Sequence, residues 1–213
     1  MRPGSGRRRI DDGRDRMPPR VKPGCRALGL AESYRGRDDG ATSTLCGAVV
    51  RADRAVDDVE VATCAVGGRD ATDAAADVWR RLDRPDVRYV LVAGVALAWY
   101  NVVDLAALSA ATDRPVVAVT FEESDGLEAG IEAAFDGEAR AARLSAYRGL
   151  PERRRIEVDG RALFVRSVGL EDAAADAVVE AYTHERRPEP LRVAKRIAGR
   201  LDAARREGLL PPE

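Results

Sequence analysis

Apolar runs and amphipathic stretches alternate along most of the chain. The most apolar run is Tyr89-Val90-Leu91-Val92-Ala93, which has no charge for a solvent face and predicts a strand buried on both sides. Gly94 breaks it. A small-residue loop carrying Trp99 and Tyr100 follows, and a helix is predicted from Asn101 to Thr112. Three strands come before it. Arg26–Ala31 is short and apolar, Thr44–Arg51 carries Gly47 as a mark of a bulge or close approach, and Val59–Val66 alternates. Their short links suit an antiparallel meander, with Arg35 to Thr42 as a polar loop. Gly67-Gly68 ends the third strand. Asp70 then reads as the N-cap of a helix to about Leu82, with Asp73 in the capping-box position. Pro115–Phe121 is a fifth strand, and Leu127–Tyr147 is helical with an interruption near Gly137. Arg155–Val158 and Ala162–Ser167 form a hairpin on Asp159-Gly160, and helices cover Glu171–Tyr182 and Pro190 to about Arg206.

This order predicts an α/β fold. Three antiparallel strands feeding parallel strands through helices on both faces is the ribonuclease H-like mixed sheet, although periodicity alone also permits other mixed sheets. Residues 1–24 read as a disordered tail, 25–207 as a single domain, and 208–213 as a second tail. Met17 is an alternative start, since order is expected only after Pro23.

Composition narrows the chemistry. Thirty-five basic and 36 acidic residues leave a net charge of -1, which argues against indiscriminate nucleic-acid binding. The basic residues are arginines except for Lys22 and Lys195. His184 is the only histidine, and Cys25, Cys46 and Cys64 show no close spacing. Zinc sites and Ser-His or Cys-His catalysis are therefore disfavoured, and the cysteines read as small buried apolar residues. No apolar run nears the ~20 residues of a membrane helix. No secretory signal opens the chain, so a cytoplasmic protein is expected.

Ligands of open α/β sheets bind beyond the carboxyl ends of the strands. The acids near such ends are Glu32, Asp70, Asp73, Asp104, Glu122, Glu123 and Asp125. Each has a plainer reading: Asp70, Asp73 and Asp104 as caps or helix-dipole partners, Glu122 and Glu123 as solvated loop residues. Gly67-Gly68 reads as a phosphate nest or as a plain turn. Trp99 and Tyr100 stack bases if exposed and cover the sheet edge if buried. Arg192, Arg196 and Arg200 make one basic stripe at i+4 spacing, for phosphate or simply for solvent, and Arg7-Arg8-Arg9 carries the same two readings. A ligand is expected to contact Tyr100 or Asn101 at the predicted helix N-terminus, with Trp99 or Tyr100 stacking, and Glu32 or Asp104 orienting or bridging. Arg192 is the candidate counter-charge between Asp104 and an anion.

Four segments carry a resemblance. Arg26-Ala27-Leu28-Gly29-Leu30-Ala31-Glu32-Ser33, Val66-Gly67-Gly68-Arg69-Asp70-Ala71-Thr72, Ala93 to Leu105, and Pro188-Glu189-Pro190-Leu191-Arg192-Val193-Ala194 together resemble the archaeal domain-of-unknown-function family ninety-nine, relatives of endonuclease V. The resemblance runs over about residues 22–204. It implies a ribonuclease H-like fold and, in endonuclease V, metal-dependent cleavage beside deaminated bases. It also implies acids where this chain has Ala31, Gly67 and Ala93. Glu32 does not replace Ala31, because successive strand side chains point to opposite faces. The resulting expectation is an endonuclease V-like protein that binds nucleic acid or a nucleotide, with a degenerate metal site, no assigned metal ligand and no identified cofactor. One alternative is an active nuclease using magnesium or manganese at a relocated site of Glu32, Asp70, Asp104 and Glu122. Another is a protein-interaction module that uses the Trp99–Tyr100 loop.

Overall fold

A computed structural model describes residues 20–36 and 40–210, so the Arg7-Arg8-Arg9 run lies outside the described residues. Strand β1 (Arg26–Glu32) pairs antiparallel with β2 (Thr42–Arg51), which pairs antiparallel with β3 (Val56–Ala65). Helix α1 (Ala71–Leu82) leads to β4 (Val87–Ala93), parallel to β1. A two-stranded ribbon follows, β5 (Ala96–Leu97) and β6 (Asn101–Val102), then α2 (Leu105–Thr112) and β7 (Val116–Thr120), parallel to β4. Helices α3 (Glu128–Ala134) and α4 (Gly137–Arg148) precede the hairpin β8 (Arg154–Val158) and β9 (Arg161–Val168). Helices α5 (Asp172–Tyr182) and α6 (Glu189–Arg206) close the chain. The main sheet runs β3-β2-β1-β4-β7-β9-β8, a mixed sheet with β4 at its centre between β1 and β7. This is the expected ribonuclease H-like order.

Strand β4 is charge-free at its end because both its faces are covered. Val90 and Val92 join the core beneath α1 and α2, while Leu91 joins the core under α5 and Ala93 packs against both cores on that side. Each such fully buried aliphatic side chain is worth about 1.5–3 kcal/mol. Helix α1 turns Ala71, Ala74, Ala75, Val78 and Leu82 inward, one apolar stripe of an amphipathic helix. Helix α6 turns Leu191, Ala194 and Ala198 inward. Its backbone comes so close to β1 that a Cβ on Gly29 would lie 2.2 Å from the Pro190 carbonyl carbon. Gly47 does mark a close approach, facing Val78 of α1. Cys46 and Cys64 are buried, and burial, with Glu60 nearby, pushes the Cys46 thiol up to about 12. Cys25 is half-buried.

Three expectations are corrected. The helix does not begin at Asn101: Asn101–Val102 is strand β6 of the β5–β6 ribbon, and α2 starts only at Leu105, capped by Asp104, which accepts from the Ala106 and Ala107 N–H groups at 2.9 Å. Asp70 does precede α1 but makes no side-chain cap; its carboxylate accepts from Ala65 N at 3.0 Å, back toward β3. Residues 1–24 are not loose throughout: Pro23 O accepts from Asp53 N at 2.9 Å and Val21 packs on the core under α5.

Candidate functional site

The parallel strands β1, β4 and β7 end side by side, and a cleft of about 430 Å³ opens beyond them. Its lining takes Ala93, Gly94, Val119 and Thr120 from the strand ends, Phe121 directly after β7, and Tyr147, Phe164 and Leu191 from α4, β9 and α6. Three arginines stand over the wall aromatics at cation–π distance. The guanidinium carbon of Arg153 is 4.0 Å from the Phe164 ring centre, that of Arg187 4.4 Å from Phe121, and that of Arg166 5.2 Å from Tyr147. Such contacts fix a guanidinium plane while leaving its edge free to donate. Backbone carbonyls and hydroxyls hold two of them further. Arg153 donates to Ser124 O at 2.9 Å and Glu122 O at 2.6 Å, and Arg166 to the Tyr147 hydroxyl at 3.1 Å.

The cleft carries four cations, Arg153, Arg166, Arg187 and Lys195, against two carboxylates, Glu32 and Glu122. Glu32 is already engaged. It accepts from Ser43 Oγ at 2.6 Å and from Tyr34 N, and Lys195 Nζ stands 3.7 Å from its Oε1. Lys195 also donates to Glu32 O at 2.6 Å. On the far side of Lys195 and Arg187, a second, shallower groove of about 590 Å³ runs along the outer face of α6. It is lined by Arg35, Arg187, Arg192, Lys195, Arg196 and Arg200, with Gly199 and Ala203 between them. Arg187 and Lys195 belong to both hollows.

The structure brings together only some of the residues singled out from sequence. Glu32 and Glu122 line the cleft, and Arg192 lines the α6 groove while bonded to Glu189 at 2.7 Å. Asp70 and Asp104 line neither hollow and serve the loop and cap contacts described above. Trp99, Tyr100 and Asn101 also lie away from both. The Trp99 ring packs 4.7 Å from Phe135 and covers Gly67, where a Cβ would lie 2.6 Å from the indole. Gly67-Gly68 is therefore a turn roofed by Trp99, with Gly67 at φ 67°, and not an open phosphate nest. Tyr100 sits over Gly130 of α3. Asn101 is fully buried. Its Nδ2 donates to Ala65 O at 2.9 Å and Asp70 Oδ1 at 2.6 Å, and its Oδ1 accepts from Ala71 N at 3.0 Å. Asn101 thus caps α1 from a distant ribbon. Sequence reasoning missed Phe121, Tyr147, Arg153, Phe164, Arg166, Arg187 and Lys195. The available signals were Arg166 directly after the apolar run Ala162–Val165 of β9 and a lysine in an arginine-rich helix.

The divalent metals that the sequence resemblance implies need several carboxylates converging on one point. Ala31 and Ala93 hold the positions at the ends of β1 and β4, and Ala31 is fully buried against Ala194 and Ala198. Among the described residues no group of three His, Cys, Asp or Glu side chains could hold a metal ion. The donor set does not fit a two-metal centre.

A family model described as Endonuclease dU matches residues 23–201. A UPF0215 protein of Pyrobaculum calidifontis is 34% identical over 174 residues, 80% of this chain and 93% of its own. A UPF0215 protein of Methanopyrus kandleri is 31% identical over 183 residues, 84% and 91% of the two chains. Among solved structures, a protein of unknown function from Archaeoglobus fulgidus superposes with a TM-score of 0.73 at 24% identity, covering 83% of this chain and 98% of that one. Human endonuclease V gives 0.56 at 17%, covering 87% and 86%. Endonuclease V of Ciona intestinalis, solved with a 24mer DNA containing an inosine followed by a ribo-adenosine, gives 0.54 at 12%, covering 85% and 86%. The fold is that of endonuclease V. Among the described residues no helix is long and apolar enough to cross a membrane.

Proposed function

We propose, from the premise that the chain belongs to the endonuclease dU family, that it binds a nucleic-acid strand without conventional two-metal cleavage. One nucleobase enters the aromatic-walled cleft, and the phosphates beside it follow the arginines of α6. The observation that carries this reading is the sharing of Arg187 and Lys195 between the cleft and the groove, which makes one continuous basic path. A base in the cleft meets flat aromatic and guanidinium surfaces, which suit stacking without demanding one sequence. Outside the cleft, Arg196 and Arg200 are exposed on successive turns of α6 and offer point charges to a backbone. The ligand of the Ciona neighbour and the family description suggest the probes: single-stranded oligonucleotides with one inosine or one deoxyuridine, and an unmodified control.

The test is fluorescence anisotropy over a salt series. The double variant Arg196→Glu/Arg200→Glu is expected to weaken binding about tenfold or more. It should also flatten the log–log salt slope by about 1.4, the release of two counterions from a single strand. The same samples, incubated with magnesium and then manganese, should show no specific strand scission beside the modified base. Unchanged affinity and slope in the double variant would overturn the groove. Robust scission lost in Glu32→Gln or Glu122→Gln would replace this reading with an active nuclease.

A further inference from the structure

We propose that Lys195, anchored on Glu32, takes the position of a divalent cation at the strand ends, so that the cleft grips a nucleotide phosphate with lysine and arginine alone. The inference deepens the reading above and rests on the cleft as the ligand site, but not on the α6 groove.

The argument begins at β1 and β4. Their last residues facing α6 are Ala31 and Ala93, and no carboxylate there can gather a metal. Helix α6 passes directly over this place, with Ala194 and Ala198 pressed on Ala31 and with Gly29 clearing room for Pro190. The same helix delivers Lys195 to the mouth of the cleft. An ammonium has three donors and no acceptor. One is spent on Glu32 O at 2.6 Å and a second faces Glu32 Oε1 at 3.7 Å. The remaining donor is available to the cleft, since the Lys195 side chain is 45% exposed and lines that hollow.

Residue choice supports the same point. Only two of the 35 basic residues in this chain are lysines, and one of them stands here. A compact ammonium approaches a carbonyl and an anion from one point, whereas a planar guanidinium spreads its donors over a fork. Charge adds a second, independent reason. Arg153, Arg166 and Arg187 form no ion pair among the described residues, and Glu32 is matched by Lys195, which leaves Glu122 as the only other carboxylate on the cleft. A phosphate brought among these cations balances the excess. A lysine neutralises phosphate charge as a metal does, but it does not bind and ionise a water nucleophile. Binding without hydrolysis follows.

The experiment is titration calorimetry of deoxyuridine 5′-monophosphate and of deoxyuridine, each with EDTA and with excess magnesium. Every variant is checked first by circular dichroism and thermal melting. The monophosphate is expected to bind at least about tenfold tighter than the nucleoside, equally with chelator and with magnesium. Lys195→Met should lose about tenfold or more for the monophosphate and leave the nucleoside unchanged. Glu32→Gln separates the two kinds of cation. If the lysine grips the phosphate, removing a negative charge beside it leaves affinity equal or higher. If a carboxylate-bound metal grips it, binding collapses. Loss of binding in EDTA, an unchanged Lys195→Met affinity, or a collapse in folded Glu32→Gln would each overturn the proposal. The monophosphate carries no neighbouring backbone phosphates to lay along α6, so its affinity reports on the cleft, and failure of the lysine is told apart from failure of the groove, which the oligonucleotide salt series reads.

Discussion

Asn101 gives the sharpest test of the distinction between a ligand-contacting loop and an internal brace. Replacing it with alanine removes three hydrogen bonds: to Ala65 O, to Asp70 Oδ1 and from Ala71 N. A neutral hydrogen bond contributes about 0.5–1.5 kcal/mol and one to a charged group about 1.5–3 kcal/mol. The three are not independent, because all hang on one amide. The residue is fully buried, so water does not readily replace it, and the first N–H of α1 is left without its cap. A loss of about 3–4 kcal/mol follows, and for a domain of this size it corresponds to a fall in Tm of about 6–16 °C. The assay is reversible thermal or urea unfolding of both proteins, with anisotropy of the inosine oligonucleotide at a temperature where both are folded. Expected are the Tm drop and an affinity within about twofold. A shift of less than about 2 °C together with lost oligonucleotide binding would refute the reasoning and return Asn101 to the ligand.

Trp99→Ala should behave in the same way, since its ring packs on Phe135 and roofs Gly67: a cost of about 2–4 kcal/mol in unfolding and no change in oligonucleotide affinity. Weakened binding at unchanged stability would show that the indole stacks on a base after all. Glu189→Gln tests pH dependence. The hydrogen bond from Arg192 holds the Glu189 carboxyl below the usual carboxylate range, so its stabilisation is full above the unfolded-state value of about 4.3 and is lost as pH falls through the lower folded value. The variant should melt lower than the parent at pH 7, and the gap should close on acidification below about pH 4; a gap of constant size across that range would show that the charge of Glu189 is irrelevant.

Much of the fold was legible because local patterns and tertiary demands agreed. The apolar end of β4 has one meaning in a mixed sheet, burial on both faces, and it lies at the centre of the sheet. Asp159-Gly160 has one as well: both residues take positive φ, 50° and 72°, as a two-residue hairpin turn requires. The segment after Gly94 was different. Ala98, Trp99 and Tyr100 all adopt positive φ, between 41° and 59°, and none is a turn former. That conformation opposes local preference and is held by the packing of Trp99 and Tyr100 on Phe135, 36 and 35 positions further along the chain. No window of sequence contains both sides of that contact, so a helix from Asn101 was the natural local reading and the ribbon was not. The site follows the same rule. The general location beyond the strand ends was a consequence of topology, and Glu32, Glu122 and Arg192 could be found by their nearness to strand ends or by helical spacing. The arginine–aromatic pairs and the Lys195–Glu32 contact join residues up to 163 positions apart. Spacing carries no information about such pairs. They are set by how α6 crosses β1 and how β9 closes on β7, and those packings exist only once the whole sheet has formed.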